Sequence, residues 1–419
     1  MAARNIRHYA SADSGKDRPT RRAGERNDRC PPISHHDCQF WRDGATIVRI
    51  VSVMFLYIAP RPTGNAGRRQ YVKGGALIAR NFTIVQAIRG LAAAWIVLFH
   101  ASEGGHVPSL KAWLPDFIST AIFGTGHYGV PVFFALSGFV VAHSLTGIDI
   151  TPNSYARFLL RRSIRLDPSY WVAIALGMAF AIAAAMVKHE PIPPYSQGQV
   201  LAHLIYAQRF LGYPAINGVF WTLAYEVQFY AFFAAAMIVP NRLTKAILCG
   251  AALCSAFGMF DGLVPGLFLN LWGCFFVGVI ARWSADNRLW LPALLGLSVA
   301  LVLHGLFNAV AAATALILYA AVDSGWAENG LSARPFQLLG TISYSLYLIH
   351  NPVTGAVGFV AHRIAGHGVL ADLFALVAIC AAVFGAAMLM WWTVERPSHQ
   401  LSRRIKLVAP ERGLVPARM

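Results

Sequence analysis

The sequence predicts an all-α integral membrane protein of about ten transmembrane helices, with both termini in the cytoplasm. Three observations carry that expectation. The 419-residue chain is 56% hydrophobic and only 13% charged, whereas soluble domains carry about a quarter charged residues. Its mean hydropathy is +0.51, and its apolar residues come in runs near the ~20 that a spanning helix needs. Its basic residues are also unevenly distributed. With the N-terminus inside, 30 Lys/Arg fall on the cytoplasmic side and 4 on the other, with Arg89 embedded. Without the N-terminal tail the ratio is still 15 to 4, the bias expected of cytoplasmic loops.

Residues 1–82 form a basic tail with 15 Lys/Arg against 6 Asp/Glu. Its polar half cannot bury enough apolar surface to fold. The apolar stretch 45–60 is broken by Arg49 and short for a span, so the tail is expected to be disordered or interfacial. No aromatic platform or recognised motif in it points to nucleic acid. Cys30, His35, His36 and Cys38 lie close together, but their spacing fits no standard zinc module, and no metal is expected. The six cysteines are scattered and imply no disulfide framework.

Ten candidate spans follow: 84–101, 128–146, 169–187, 220–239, 245–260, 264–281, 289–303, 306–322, 337–362 and 369–392. Two turns between them are tight, at Asp261–Leu263 and His304–Gly305. Residues 200–213 are too short and polar to span and read as an amphipathic helix on the membrane surface. Residues 398–419 form a basic cytoplasmic C-terminal tail, leaving 83–397 as the membrane domain.

Five stretches stand out from this apolar background. The first span carries Arg89 and His100, eleven positions or three helical turns apart, on nearly one face. Their separation is roughly 16 Å. The second span has Ser137-Gly138 at its middle, where small residues admit close helix approach or a cavity. Arg157, Arg161, Arg162 and Arg165 crowd into one cytoplasmic loop. Orientation alone accounts for any one of them, but four guanidinium forks also suit phosphate. Glu226 sits inside an apolar span and must face a cavity or pair with a cation. Tyr344, Tyr347 and His350 occupy one stretch, the tyrosines readable as interfacial belt residues or as site residues.

Together these stretches resemble the acyltransferase-3 family of bacterial integral-membrane O-acyltransferases, from about Phe82 to Pro397. The resemblance rests on Arg89 and His100, on Phe133-Phe-Ala-Leu-Ser-Gly-Phe139, and on Arg162 and Arg165 followed by Pro168 and Tyr170-Trp171. Trp221 through Glu226 to Phe229-Tyr230, Ser343 to His350, and Glu395-Arg396-Pro397 complete it. Asp167 departs from the pattern, where a small or aromatic residue is more usual. The wording is most similar to the exopolysaccharide-production acetyltransferases.

The resemblance implies a multi-pass protein of the bacterial inner membrane. It would move an acyl group, most simply acetyl from cytoplasmic acetyl-CoA, to a hydroxyl of a polysaccharide or lipid-linked glycan. Arg89, Arg162 and Arg165 would hold the anionic head of the donor, whose extended arm reaches roughly 15–20 Å. His100 would act as base or acyl carrier, with Glu226 orienting it. Ser137, Tyr344 and His350 would meet the substrate. The rival class is a proton-coupled transporter, since His and Glu within spans also make proton relays. It leaves the arginine cluster idle and lacks the paired inverted repeats many transporters show.

Overall fold

The computed structural model describes residues 82–407. The apolar stretch at 45–60, the Cys/His group at 30–38 and most of both tails lie outside the described residues. Within them the chain is helical, with no strand. The helices are α1 (Thr83–Glu103), the short α2 (Pro108–Trp113) and α3 (Asp116–Ser119), α4 (Gly129–Leu145), α5 (Pro152–Lys188), α6 (Gln197–Leu204) and α7 (Trp221–Ala236). They continue as α8 (Arg242–Ala256), α9 (Trp272–Asp286), α10 (Leu291–His304), α11 (Leu306–Asp323), α12 (Arg334–Ala365), α13 (Val369–Met390) and α14 (Arg396–Ser402).

Each of the ten apolar stretches overlaps one of these helices, but their lengths are unequal. Six helical runs are long and apolar enough to cross a membrane by length and composition: 83–103, 126–145, 152–188, 268–286, 306–323 and 369–402. By contrast α7, α8 and α10 have 16, 15 and 14 residues. The 32-residue α12 threads Ser, Tyr, His and Asn through its middle.

Three local expectations are corrected. The arginines at 157–165 are not in a loop. They occupy the first half of the 37-residue α5, which starts on a capping box between Thr151 and Ser154. Its alanine- and leucine-rich sequence continues the helix through Pro168, so nothing stops it at the membrane boundary. Residues 200–213 are helical only to Leu204, where α6 ends; turns follow, with Tyr206 at φ 60°. Leu201, Ile205, Phe210 and Leu211 remain exposed there, so the apolar face exists without the helix. The turn expected at 261–263 is a longer irregular passage between Ala256 and Phe268, with glycines of positive φ at 258, 262 and 266. The His304–Gly305 turn is as tight as expected, and its φ of 137° requires the glycine.

Close packing explains the placement of small residues. In α4, Gly138 lies against the backbone of Phe275 in α9, and Gly278 of α9 lies against Ala135. No β-carbon fits at either. Gly90 of α1 and Gly340 of α12 make the matching approach on the other side of the core. These glycines let backbones touch where lipid supplies no hydrophobic drive between helices. Aromatic rings of Phe134, Phe229, Phe275 and Trp272 fill the centre between α4, α7 and α9.

Candidate active site

Five helices converge on one internal cavity. Arg89 comes from α1, Phe133 and Ser137 from α4, Arg162 and Arg165 from α5, Thr222, Glu226 and Tyr230 from α7, and Ser343, Tyr344 and Tyr347 from α12. Six of the eight candidate residues therefore meet in one place: Arg89, Ser137, Arg162, Arg165, Glu226 and Tyr344. Ser137 also settles the two readings of the small pair at mid-span. It opens onto the cavity while its neighbour Gly138 makes the close approach.

Glu226 is held by hydroxyls. Ser137 Oγ and Tyr230 OH both donate to its Oε1. The Arg162 guanidinium lies over the Tyr230 ring, 4.6 Å from its centroid, and over Phe158 at 5.4 Å. Tyr344 and Tyr347 are buried at 8% and 7% exposure, which excludes them from an interfacial belt. Tyr344 OH donates to Leu166 O at 3.0 Å, and Tyr347 OH to Val219 O at 3.1 Å with Thr222 Oγ1 2.8 Å away. These bonds tie α12 to α5 and to the start of α7, the frame of the cavity.

His100 and His350 do not line the cavity and stand past its Tyr347 end. Tyr347 and Phe133 close that end with an edge-on ring contact, centroids 5.7 Å apart. One turn further along α12, His350 is fully buried, and its Nδ1 is 2.7 Å from Tyr347 O. A carbonyl can only accept, so Nδ1 carries the proton and Nε2 a lone pair. That Nε2 is buried without a partner. The His100 ring lies 5.0 Å from the His350 ring, centroid to centroid. His100 Nδ1 is 2.7 Å from Glu103 Oε2. The carboxylate beside the imidazole is therefore Glu103, one turn along α1, whereas Glu226 belongs to the cavity on the arginine side.

Two further carboxylates, Glu395 and Asp372, were given no role by the sequence. Glu395 ends a π-helical turn, Trp391–Glu395, and is 8% exposed. Its Oε2 accepts from Ser345 N at 3.2 Å and from Ser345 Oγ at 2.6 Å, within electrostatic reach of Arg89 and Arg165. Asp372 of α13 is fully buried. It accepts from Ser109 N at 2.6 Å and Leu110 N at 3.0 Å, capping α2 from another helix. Among the described residues no group of three or more His, Cys, Asp or Glu is arranged to hold a metal.

The arrangement gathers three arginines and a buried carboxylate around one cavity, with an imidazole pair one helical turn beyond Tyr347. The comparison with known families supplies the class. A model described as an acyltransferase domain, acyltransferase-3, matches residues 83–392, and the chain belongs to that family: it is a multi-pass membrane O-acyltransferase. It is 27% identical to the exopolysaccharide production protein ExoZ of Rhizobium meliloti over 75% of this chain and 98% of that one. It is 25% identical to nodulation protein 10 of Rhizobium leguminosarum bv. viciae, covering 77% and 94%. It is also 25% identical to the peptidoglycan O-acetyltransferase OatA of Listeria monocytogenes, covering 54% and 45%. No solved structure matches.

Proposed function

We propose that this acyltransferase moves an acetyl group from cytoplasmic acetyl-CoA to a hydroxyl of a cell-surface or exported polysaccharide, or of its lipid-linked precursor. In this reading the chain crosses the bacterial inner membrane ten times with both termini in the cytoplasm. The tail 1–82 is dispensable. The observation that carries the reading is the cavity itself. Three arginines line it, and Tyr347 at its outer end stands one helical turn from the His350–His100 pair.

Arg89, Arg162 and Arg165 bind the anionic head of the donor, through the planar forks that recognise phosphate. The arm then runs past Ser137 and Tyr344 towards the histidines. The ~16 Å from Arg89 to His100 matches the reach of such an arm. The donor supplies an activated acyl thioester. His100, its Nδ1–H held by Glu103, presents Nε2 to the acceptor hydroxyl and takes its proton as the oxygen attacks the thioester carbonyl. The C–S bond breaks, and the proton passes to the departing thiolate. Glu226 acts from the donor side, keeping Ser137, Tyr230 and Arg162 in register. His350 backs the imidazole from the interior and meets the substrate there.

ExoZ is named for exopolysaccharide production and OatA for peptidoglycan O-acetylation, which supports a glycan acceptor. The test is mass spectrometry of surface polysaccharides from a deletion strain and from strains complemented with wild-type or His100→Ala protein. Loss of an acetyl increment, restored only by the active protein, is the expected result. An unchanged polysaccharide profile overturns the glycan assignment.

A further inference from the structure

The donor-side arginines do not end at the cavity. On α5, Arg157, Arg161 and Arg165 recur at every fourth position and so share a face. On the helical run ending in α14, Glu395, His399 and Arg403 recur at the same interval. The two helices pack against each other. Arg165 lies within electrostatic reach of Glu395, His399 of Arg165, Arg161 and Arg403, and Arg161 of Arg403. Arg157 Nη1 donates to Lys406 O at 3.5 Å. The rows therefore run antiparallel, cation facing cation.

Orientation in the membrane does not require this. Positive-inside residues need only water, and nothing turns them towards one another. At the Arg165 end, Glu395 relieves the repulsion, but its Oε2 is already engaged by Ser345. At the other end, Arg161, His399 and Arg403 face each other, and among the described residues none of them has a carboxylate within ion-pair distance. Facing guanidinium groups at a helix junction are stable when an anion bridges them. Two forks converging from different helices suit the several oxygens of a phosphate better than a single carboxylate.

We propose that the α5–α14 junction is a phosphate-monoester site, built by Arg161 and Arg403 with His399 between them. Because Arg165 belongs both to this junction and to the cavity, the monoester is assigned to the 3′-phosphate on the ribose of coenzyme A. That assignment rests on the acyl-CoA reading above. The same chemistry is offered by a phosphatidic acid headgroup, which the test separates.

The full chain is purified into nanodiscs of zwitterionic lipid, and binding of coenzyme A and dephospho-coenzyme A is measured by calorimetry. Wild type is expected to favour coenzyme A by about tenfold or more, the value of a charge-assisted phosphate contact. Arg161→Ala and Arg403→Ala should each cut that preference to about threefold or less, and Arg403→Lys should keep part of it. Full preference in both alanine variants overturns the site. Equal binding of the two nucleotides, with phosphatidic acid retained by wild type and lost from Arg403→Ala in native mass spectrometry, keeps the site and overturns the donor assignment. If wild type binds neither nucleotide, the acyl-CoA reading fails and phosphatidic acid retention alone decides the site. Absence of both ligands overturns it.

Discussion

His100 is the residue on which the proposed chemistry turns, and its surroundings say how to test it. Its Nδ1 has a carboxylate partner, and its ring lies against a buried imidazole with an idle lone pair. General-base help is worth about 100- to 10,000-fold, more if the imidazole carries the acyl group. His100→Ala and His100→Gln should both abolish transfer, because Gln keeps hydrogen bonding but takes up no proton. Substantial activity in the Gln variant would reduce His100 to a structural role. Glu103→Gln should lower kcat by about tenfold with little change in KM for either substrate, since it orients the base without touching them. The i, i+3 spacing of His100 and Glu103 permits their pairing, but an acidic residue at a helix end is equally at home in solvent. Glu226 is the conspicuous carboxylate because it stands alone in an apolar run, and spacing along the chain says nothing of which helix it faces.

At the scale of elements, α5 carries the proposed donor end. Arg162 stacks on Tyr230 and Arg165 reaches Glu395 from adjacent turns. Arg162→Ala or Arg165→Ala should weaken acyl-CoA binding by roughly ten- to a hundredfold, the cost of a lost charged hydrogen bond. Lysine should restore only part, having no planar fork. Normal donor affinity in both alanine variants would move the head group elsewhere. On the opposite side, His106 sits between α1 and α2 against Gly358, with His362 Nε2 3.0 Å from its carbonyl. Burial, and then His362, push the His106 imidazole below its ordinary value of 6.5. The folded segment thus binds that proton more weakly than the unfolded chain. The stability it contributes is present above about pH 6.5 and is lost as pH falls through the window below. Hydrogen exchange across residues 104–114 should quicken on acidification in wild type and respond less in His106→Gln. An identical pH response in both would clear His106.

At the scale of the molecule, the positions of the helices could be read from runs of apolar residues, but their ends could not. Hydropathy marks where a chain prefers lipid. It does not register that α5 continues for 16 residues N-terminal to Pro168, or that Glu395 is reached across 50 residues by Ser345. Such contacts depend on which helices are neighbours, and composition is silent on that. The proposed cytoplasmic placement of both termini rests on the charge ratio alone. Reporter fusions after Met419 and within residues 103–126 should read inside and outside respectively. An external C-terminus would invert the donor end.

The inequality of helix lengths has a mechanical consequence. Helices of 14 to 16 residues, α7, α8 and α10, span only about 21–24 Å, while a hydrocarbon core is about 30 Å thick. In the proposed ten-span arrangement a bilayer meeting them thins towards their ends, at an elastic cost that grows with acyl-tail length. The thinning shortens the crossing to something nearer the reach of a single carrier arm. Turnover in proteoliposomes should therefore fall as the lipid tails lengthen from 14 to 22 carbons, with donor affinity much less affected. A flat response would show that the protein, rather than the surrounding lipid, absorbs the mismatch.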